Sequence, residues 1–183
     1  MAYVVVKEEP ARRLEGEEAL KFLASRGIGY EEWDVSQVPA ELRTFRKLNE
    51  DEQRQLLATW GDQIDRLMRS NDYKTADVLA VSDETVPNLD TMLDKFRPEH
   101  YHTEDEVRFV ISGHGMFGIH QSQPDECTFE VHVGPGDLLM VPEGTWHWFD
   151  LKEDRCIQCV RLFQDMSGWT PYYRTAEMPA ARP

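Results

Sequence analysis

The chain is predicted to be mainly β with flanking helices, an α+β domain built as a β-barrel with helices packed outside it. Three observations carry this. From Val107 onward, six short β-rich runs recur at a spacing of ~8–12 residues, separated by Gly, Pro and Asp, the pattern of a barrel or sandwich. Before residue 95, stretches of helical period alternate with short extended ones. No Pro/Gly/Ser-rich linker divides the 183 residues, a length that suits one domain with a full core. The expected organisation is one domain over 1–183, with mixed elements in 1–95 packed on a barrel core in 96–170.

Tyr3–Val6 reads as an opening strand. Gly16–Arg26 has helical period, with Ala19, Leu20 and Leu23 as its apolar stripe and Gly27 as its stop. Ile28–Val35 reads as extended. Asp51–Arg69 is expected to be one helix, because Leu56, Leu57, Trp60, Ile64 and Leu67 recur at intervals of three and four. Asp77–Ser82 reads as a strand. Asn88–Lys95 reads as a helix with Leu89, Met92, Leu93 and Phe96 on its apolar side, ended by Arg97–Pro98. The six later runs are VRFVI, GMFGIHQ, CTFEVHV, DLLMVP, HWFDL and RCIQCVRLF. The tail after Trp169 looks irregular.

Composition narrows the function. Twenty Lys and Arg against 34 Asp and Glu give a formal charge of −14. Phosphate contacts need clustered cations, so no nucleic acid and no anionic membrane surface is expected as a partner. No apolar run approaches the ~18 residues that cross a bilayer, and the start does not read as a secretory signal. Three cysteines make no disulfide framework. Cys156 and Cys159 read C-I-Q-C, but residues three apart on a strand point to opposite faces, so redox or zinc chemistry is not expected there. Small buried thiols in a reducing cytoplasm are.

The chemistry concentrates in His100-Tyr101-His102. On an extended backbone these two imidazoles share a face, with Cα atoms ~6.6 Å apart, within reach of one metal ion. Glu106 and Arg108 follow on that face if the segment stays extended. His147 opens a distant strand. Three nitrogens and one carboxylate oxygen suit Fe(II), Ni(II), Mn(II) or Zn. The alternative is a set of solvated loop histidines beside Glu104 and Asp105.

The glycines add to this. Gly113 follows Glu106 after six residues. Gly136 precedes Pro142, Gly144 and His147 at intervals of five, one and two, and 22 residues separate the two blocks. This resembles the two-part signature of the cupin superfamily, H-x-H-x3,4-E-x6-G and G-x5-P-x-G-x2-H. Asp94 and Leu151 stand where that signature usually has Gly and Asn. EHYHTEDEVRF, G-x-F-x-I-H, GDLLMVPEGTWHWFDL and VRLF followed by GW are, more closely, similar to the acireductone dioxygenase family. LEGEEALKFLASRGIGYEEWD is similar to that family's opening, so the resemblance spans residues ~14 to 173. Arg43–Arg54 and the tail have no counterpart in it.

The resemblance implies a cupin-type double-stranded β-helix, or jelly-roll, barrel. It implies His100, His102, Glu106 and His147 as ligands of one Fe(2+) or Ni(2+) ion per chain, and Arg108 and Arg161 as cationic groups near the substrate. Phe96, Phe149 and Trp169 would line a pocket for an apolar thioether tail, with ordinary core packing as the alternative. Arg161 could face the barrel interior or solvent by alternation alone. His114, His120 and His132 match no ligand position. The implied activity is cleavage of an acireductone by O2 in methionine salvage, by a cytoplasmic monomer. Four protein ligands leave two positions on an octahedral ion for a chelating anion. Two other readings stay open: a different metal cupin dioxygenase acting on flavonols or diketones, and a non-enzymatic cupin binding a small anion.

Overall fold

Strand pairing is antiparallel throughout and builds two sheets. The computed structural model describes residues 1–7, 12–165 and 170–174. The first sheet runs β12 (Tyr172–Tyr173), β5 (His100–Tyr101), β10 (Trp146–Leu151), β7 (Gly115–Gln121), β8 (Cys127–Val133), β1 (Tyr3–Val6) and β2 (Arg13–Leu14). The second runs β3 (Gly29–Glu32), β9 (Asp137–Val141), β6 (Glu106–Gly113), β11 (Cys156–Phe163) and β4 (Thr75–Ser82). Four α-helices join them among the described residues: α1 (Gly16–Ser25), α2 (Glu50–Ala58), α3 (Gly61–Asn71) and α4 (Leu89–Leu93).

Alternation along β6 explains how the layers stack. Val110 faces the core between the two sheets, with Phe117, Ile119, Phe129, Val131, Ile157 and Cys159. Val107, Phe109 and Ile111 face the other way, into a second core made with Leu56, Trp60, Ile64 and Leu67 of the α2–α3 region. Trp33 and Trp60 pack on Phe109 with ring centroids 4.7 and 4.6 Å apart. Burying each such side chain contributes roughly 1.5–3 kcal/mol. The sheets thus enclose one core and the helices cover the outside of the second sheet, the jelly-roll barrel that the family resemblance implies.

One expected helix is two. Asp51–Arg69 breaks after Ala58, because Trp60 leaves helical geometry (φ −122°, ψ 29°) and Gly61 starts the next helix. The break turns the Trp60 indole inward, where its Nε1–H donates to the Asp34 carbonyl at 2.9 Å. The helical period continued across the break because both helices bury the same side against one sheet. Two-residue β2 and β12 were not expected, since strands this short have no period to read; β5 falls on the His100–Tyr101 backbone that was read as extended.

Gly113 has φ +75°, and a Cβ there would lie 2.1 Å from the Cys156 carbonyl oxygen, so only glycine fits. All three cysteines are free thiols. Cys159 faces the inter-sheet core with Ile157, and Cys156 takes the opposite parity on β11, as expected. No helix among the described residues is long and apolar enough to cross a membrane.

Candidate metal centre

His100, His102, Glu106 and His147 come together between the two sheets. One donor atom from each lies within 4.8 Å of all the others. All four are buried, at 1–6% exposure. His100 sits on β5 and His147 opposite it on β10, in the first sheet. Glu106 opens β6 in the second. The segment between is not extended as expected: the strand ends at Tyr101, bends at Thr103 and Glu104, and resumes at Glu106. H-x-H-x3-E is therefore a crossing from one sheet to the other. The acidic loop inside it is pinned. Glu104 accepts from the backbone N–H groups of Gln164 and Asp165 at 3.0 and 2.6 Å. Asp105 accepts from Tyr73 Oη and Glu143 N at 2.7 and 3.0 Å.

The turn before His147 locks the second half of the site onto the first. Gly144, at φ +72°, donates its N–H to the His102 carbonyl at 2.9 Å. That turn brings the β10 histidine beside the β5 pair.

The donor chemistry fits a divalent cation. His100 and His147 each donate Nδ1–H to a backbone carbonyl, of Pro98 and Thr145, both at 2.8 Å. That tautomer leaves Nε2 as a lone-pair donor. His147 Nε2 then faces Glu106 Oε2 at 2.9 Å, and His102 Nε2 lies 3.1 Å from the same oxygen. Lone pairs converging on an anionic oxygen call for a cation among them. Burial, and the neighbouring histidines, push His100 down to about 4, which keeps it neutral and able to ligate. Burial pushes the Glu106 carboxyl up, but the Arg108 charge and the contacts with His102 and His147 outweigh it and hold Glu106 well below the ordinary carboxylate range.

Arg108, two residues along β6, is buried on the same inner face. Its Nη2 lies 3.0 Å from Glu106 Oε1 and its Nη1 donates to the Val107 carbonyl at 3.1 Å. Desolvation lowers its pKa against the attraction of Glu106. Glu106 and Arg108 are the polar lining of a cavity of about 50 Å³ whose other walls include Phe96, Phe149, Phe117 and Leu79. Two of the three expected aromatics thus face the cavity. Trp169 lies outside the described residues. Arg161 is directly opposite Arg108 in the sheet, which resolves its alternation towards the interior. It is held there by Asp77, accepting from Nε at 2.7 Å and Nη2 at 2.6 Å, and it does not line the cavity. The sequence reading missed Asp77; a carboxylate one strand away has no sequence signal. It also missed Met92, Val81 and Ile157 as cavity walls, since each reads as ordinary core.

His114, His120 and His132 stand outside the centre. They contact Asp154 at 2.7 Å, Glu99 at 2.7 Å and Lys152 at 3.1 Å respectively.

A jelly-roll barrel with three histidines and one glutamate converging between its sheets defines a metal-binding cupin. The chain belongs, within that class, to the acireductone dioxygenase family of enzymes: the family described as ARD/ARD′ matches residues 32–171. An acireductone dioxygenase of Exiguobacterium sibiricum is 44% identical over 174 residues, covering 94% of this chain and 95% of the relative. One of Bacillus subtilis is 42% identical over 174 residues, covering 94% and 96%. The solved structure of an acireductone dioxygenase from Bacillus anthracis, with a cadmium ion in its active centre, superposes with a TM-score of 0.87 at 38% identity, covering 94% of this chain and 98% of that one.

Proposed function

We propose that this protein cleaves an acireductone, 1,2-dihydroxy-3-keto-5-methylthiopentene, with O2, both oxygen atoms entering the products. The observation that carries the reading is a four-donor cradle beside a cavity that holds Glu106 and Arg108 at one end and is apolar along the rest. A divalent ion held by His100, His102, Glu106 and His147 would supply Lewis acidity and a template for the enediolate. Arg108 binds the enediolate, since a guanidinium in a buried site attracts an anion despite a net charge of −14 spread over a screened surface. Glu106 stays ionised beside it and limits the local positive charge. The Pro98 and Thr145 carbonyls hold the imidazoles in their ligating tautomer. The buried walls exclude water from the electron-rich substrate.

For the iron form the proposed products are formate and 4-methylthio-2-oxobutanoate. For the nickel form they are formate, carbon monoxide and 3-methylthiopropanoate. The iron form is the working one in methionine salvage on this reading, because its products keep the carbon skeleton that methionine needs. The site is complete within one chain, which supports action as a monomer; a cytoplasmic place follows from that pathway. Elemental analysis of the purified protein, with product analysis on an acireductone under air, tests the proposal. Turnover of a flavonol or diketone in its place would move it to another cupin dioxygenase. Binding without turnover would leave an anion-binding cupin.

A further inference from the structure

The cavity has an order along the barrel that strand register fixes. Arg108 pairs across β6–β11 with Arg161, and Val110 with Cys159. Cys159 in turn pairs with Leu79, and Ile157 with Val81, across β11–β4. Two residues on a strand advance ~6.6 Å. The cavity therefore starts at Glu106 and Arg108, passes Cys159 and Leu79, and ends at Ile157 and Val81, roughly 13 Å from the Arg108 level. Its open side is closed by the α4 segment. Phe96 lies at the metal end: its carbonyl accepts from Phe149 N at 2.9 Å, and its ring centroid is 6.2 Å from that of His100. Met92, four residues earlier and on α4, lines the same cavity. Asp90, two residues before Met92, accepts from Arg155 at 3.2 Å, beside the Cys156 end of β11, which ties this part of α4 to the far end.

We propose that Met92 is a specificity-determining residue that sets the longest apolar tail the site accepts. The inference rests on the proposed reading for the head group, a chelating anion at Arg108 and the metal. The cavity holds about 50 Å³, a third of the ~150 Å³ that accommodates benzene. A six-carbon thioether substrate therefore has to displace a wall. Val81, Ile157 and Cys159 are strand residues at 1–4% exposure, locked in the ladder. Met92 is half-buried on a five-residue helix without a side-chain cap bond, and its unbranched thioether changes shape at small cost. Among the walls at the far end it is the one able to yield, and its length limits how far the tail extends.

The test is calorimetric titration of nickel-loaded protein with straight-chain alkyl hydroxamates of increasing length, a chelating anion with an apolar tail. In the wild type, affinity should rise with tail length to a limit and then fall about tenfold or more with the next methylene. Met92→Ala should move the limit to longer tails and Met92→Phe to shorter ones. A limit at the same length in all three proteins, or no binding, overturns the role of Met92. If Met92→Ala fails to fold, Met92→Phe alone decides. Acireductone turnover by the wild type is read separately, so its absence would sink the proposed activity while the hydroxamate limit still judges Met92.

Discussion

Glu106 is where the residue-scale chemistry meets, since it faces both His102 and His147 and the Arg108 guanidinium. Removing one of four donors should drop metal affinity sharply. His102→Ala and His147→Ala should purify with little metal, and full occupancy in either would show that the centre lies elsewhere. His114→Asn, His120→Asn and His132→Asn should keep their metal by the same elemental analysis. Arg108→Ala should keep the metal and lose turnover. A charge contact to an anion in a dry pocket contributes ~2–4 kcal/mol, or roughly 30- to 1,000-fold in kcat/KM. Arg108→Lys should recover only part, because an ammonium lacks the planar fork. Wild-type kinetics in Arg108→Ala would remove its substrate role. The contrast with Arg161 is a matter of place: both guanidiniums face inward and each has a carboxylate partner, Asp77 for Arg161 and Glu106 for Arg108, but Arg108 lines the cavity and Arg161 does not.

Elements are held by a few local devices, and two of them are testable. At the start of α2, Asn49 accepts from Glu52 N and the Glu52 carboxylate accepts from Asn49 N, both at 2.9 Å. Asn49→Ala should lower stability by ~1 kcal/mol, read from the denaturant midpoint. Hydrogen bonds from Arg46 and then from the Asn49 backbone bring Glu52 down from 4.5 to about 2. A lowered carboxylate stabilises the fold above its unfolded value, and that contribution is lost as pH falls from 4.5 through 2. The difference in midpoint between wild type and Glu52→Gln should therefore shrink across that window; a constant difference would exclude the linkage. At the end of β6, Gly113→Ala should cost about 3 kcal/mol or more, since left-handed strain of ~1–2 kcal/mol adds to a clash with the Cys156 backbone. Thermal unfolding of the variant checks this.

For the whole molecule, a metal held at this centre would also be a brace. Its ligands come from both sheets, so binding favours the folded state by RT ln(1 + [L]/Kd), about 4 kcal/mol at a free metal concentration 1,000 times Kd. Stripping the ion should lower the melting temperature, and either iron or nickel should restore it. Apoprotein reloaded with nickel should release carbon monoxide and the iron form should not; identical products from both would refute the dual chemistry.

Much of this was open to reading from the chain because it depends on short-range chemistry. His100, His102, Glu106 and His147 are donors at fixed spacing, and Gly113 and Gly144 are turn residues whose φ values no other residue adopts easily. β1 matched its expected bounds because a run of β-branched valines favours a strand locally. The tertiary structure decided whatever depends on which strands lie side by side. It split the helix at Trp60, whose indole bonds the Asp34 carbonyl and packs on Phe109. It turned H-x-H-x3-E from one extended face into a bridge between sheets, and it gave Arg161 to Asp77, 84 residues away. Met92 shows the limit most clearly. A methionine on the apolar side of a helix has the same sequence signature whether it fills a core or walls a cavity, and only the register of β4, β6 and β11 puts space beside it.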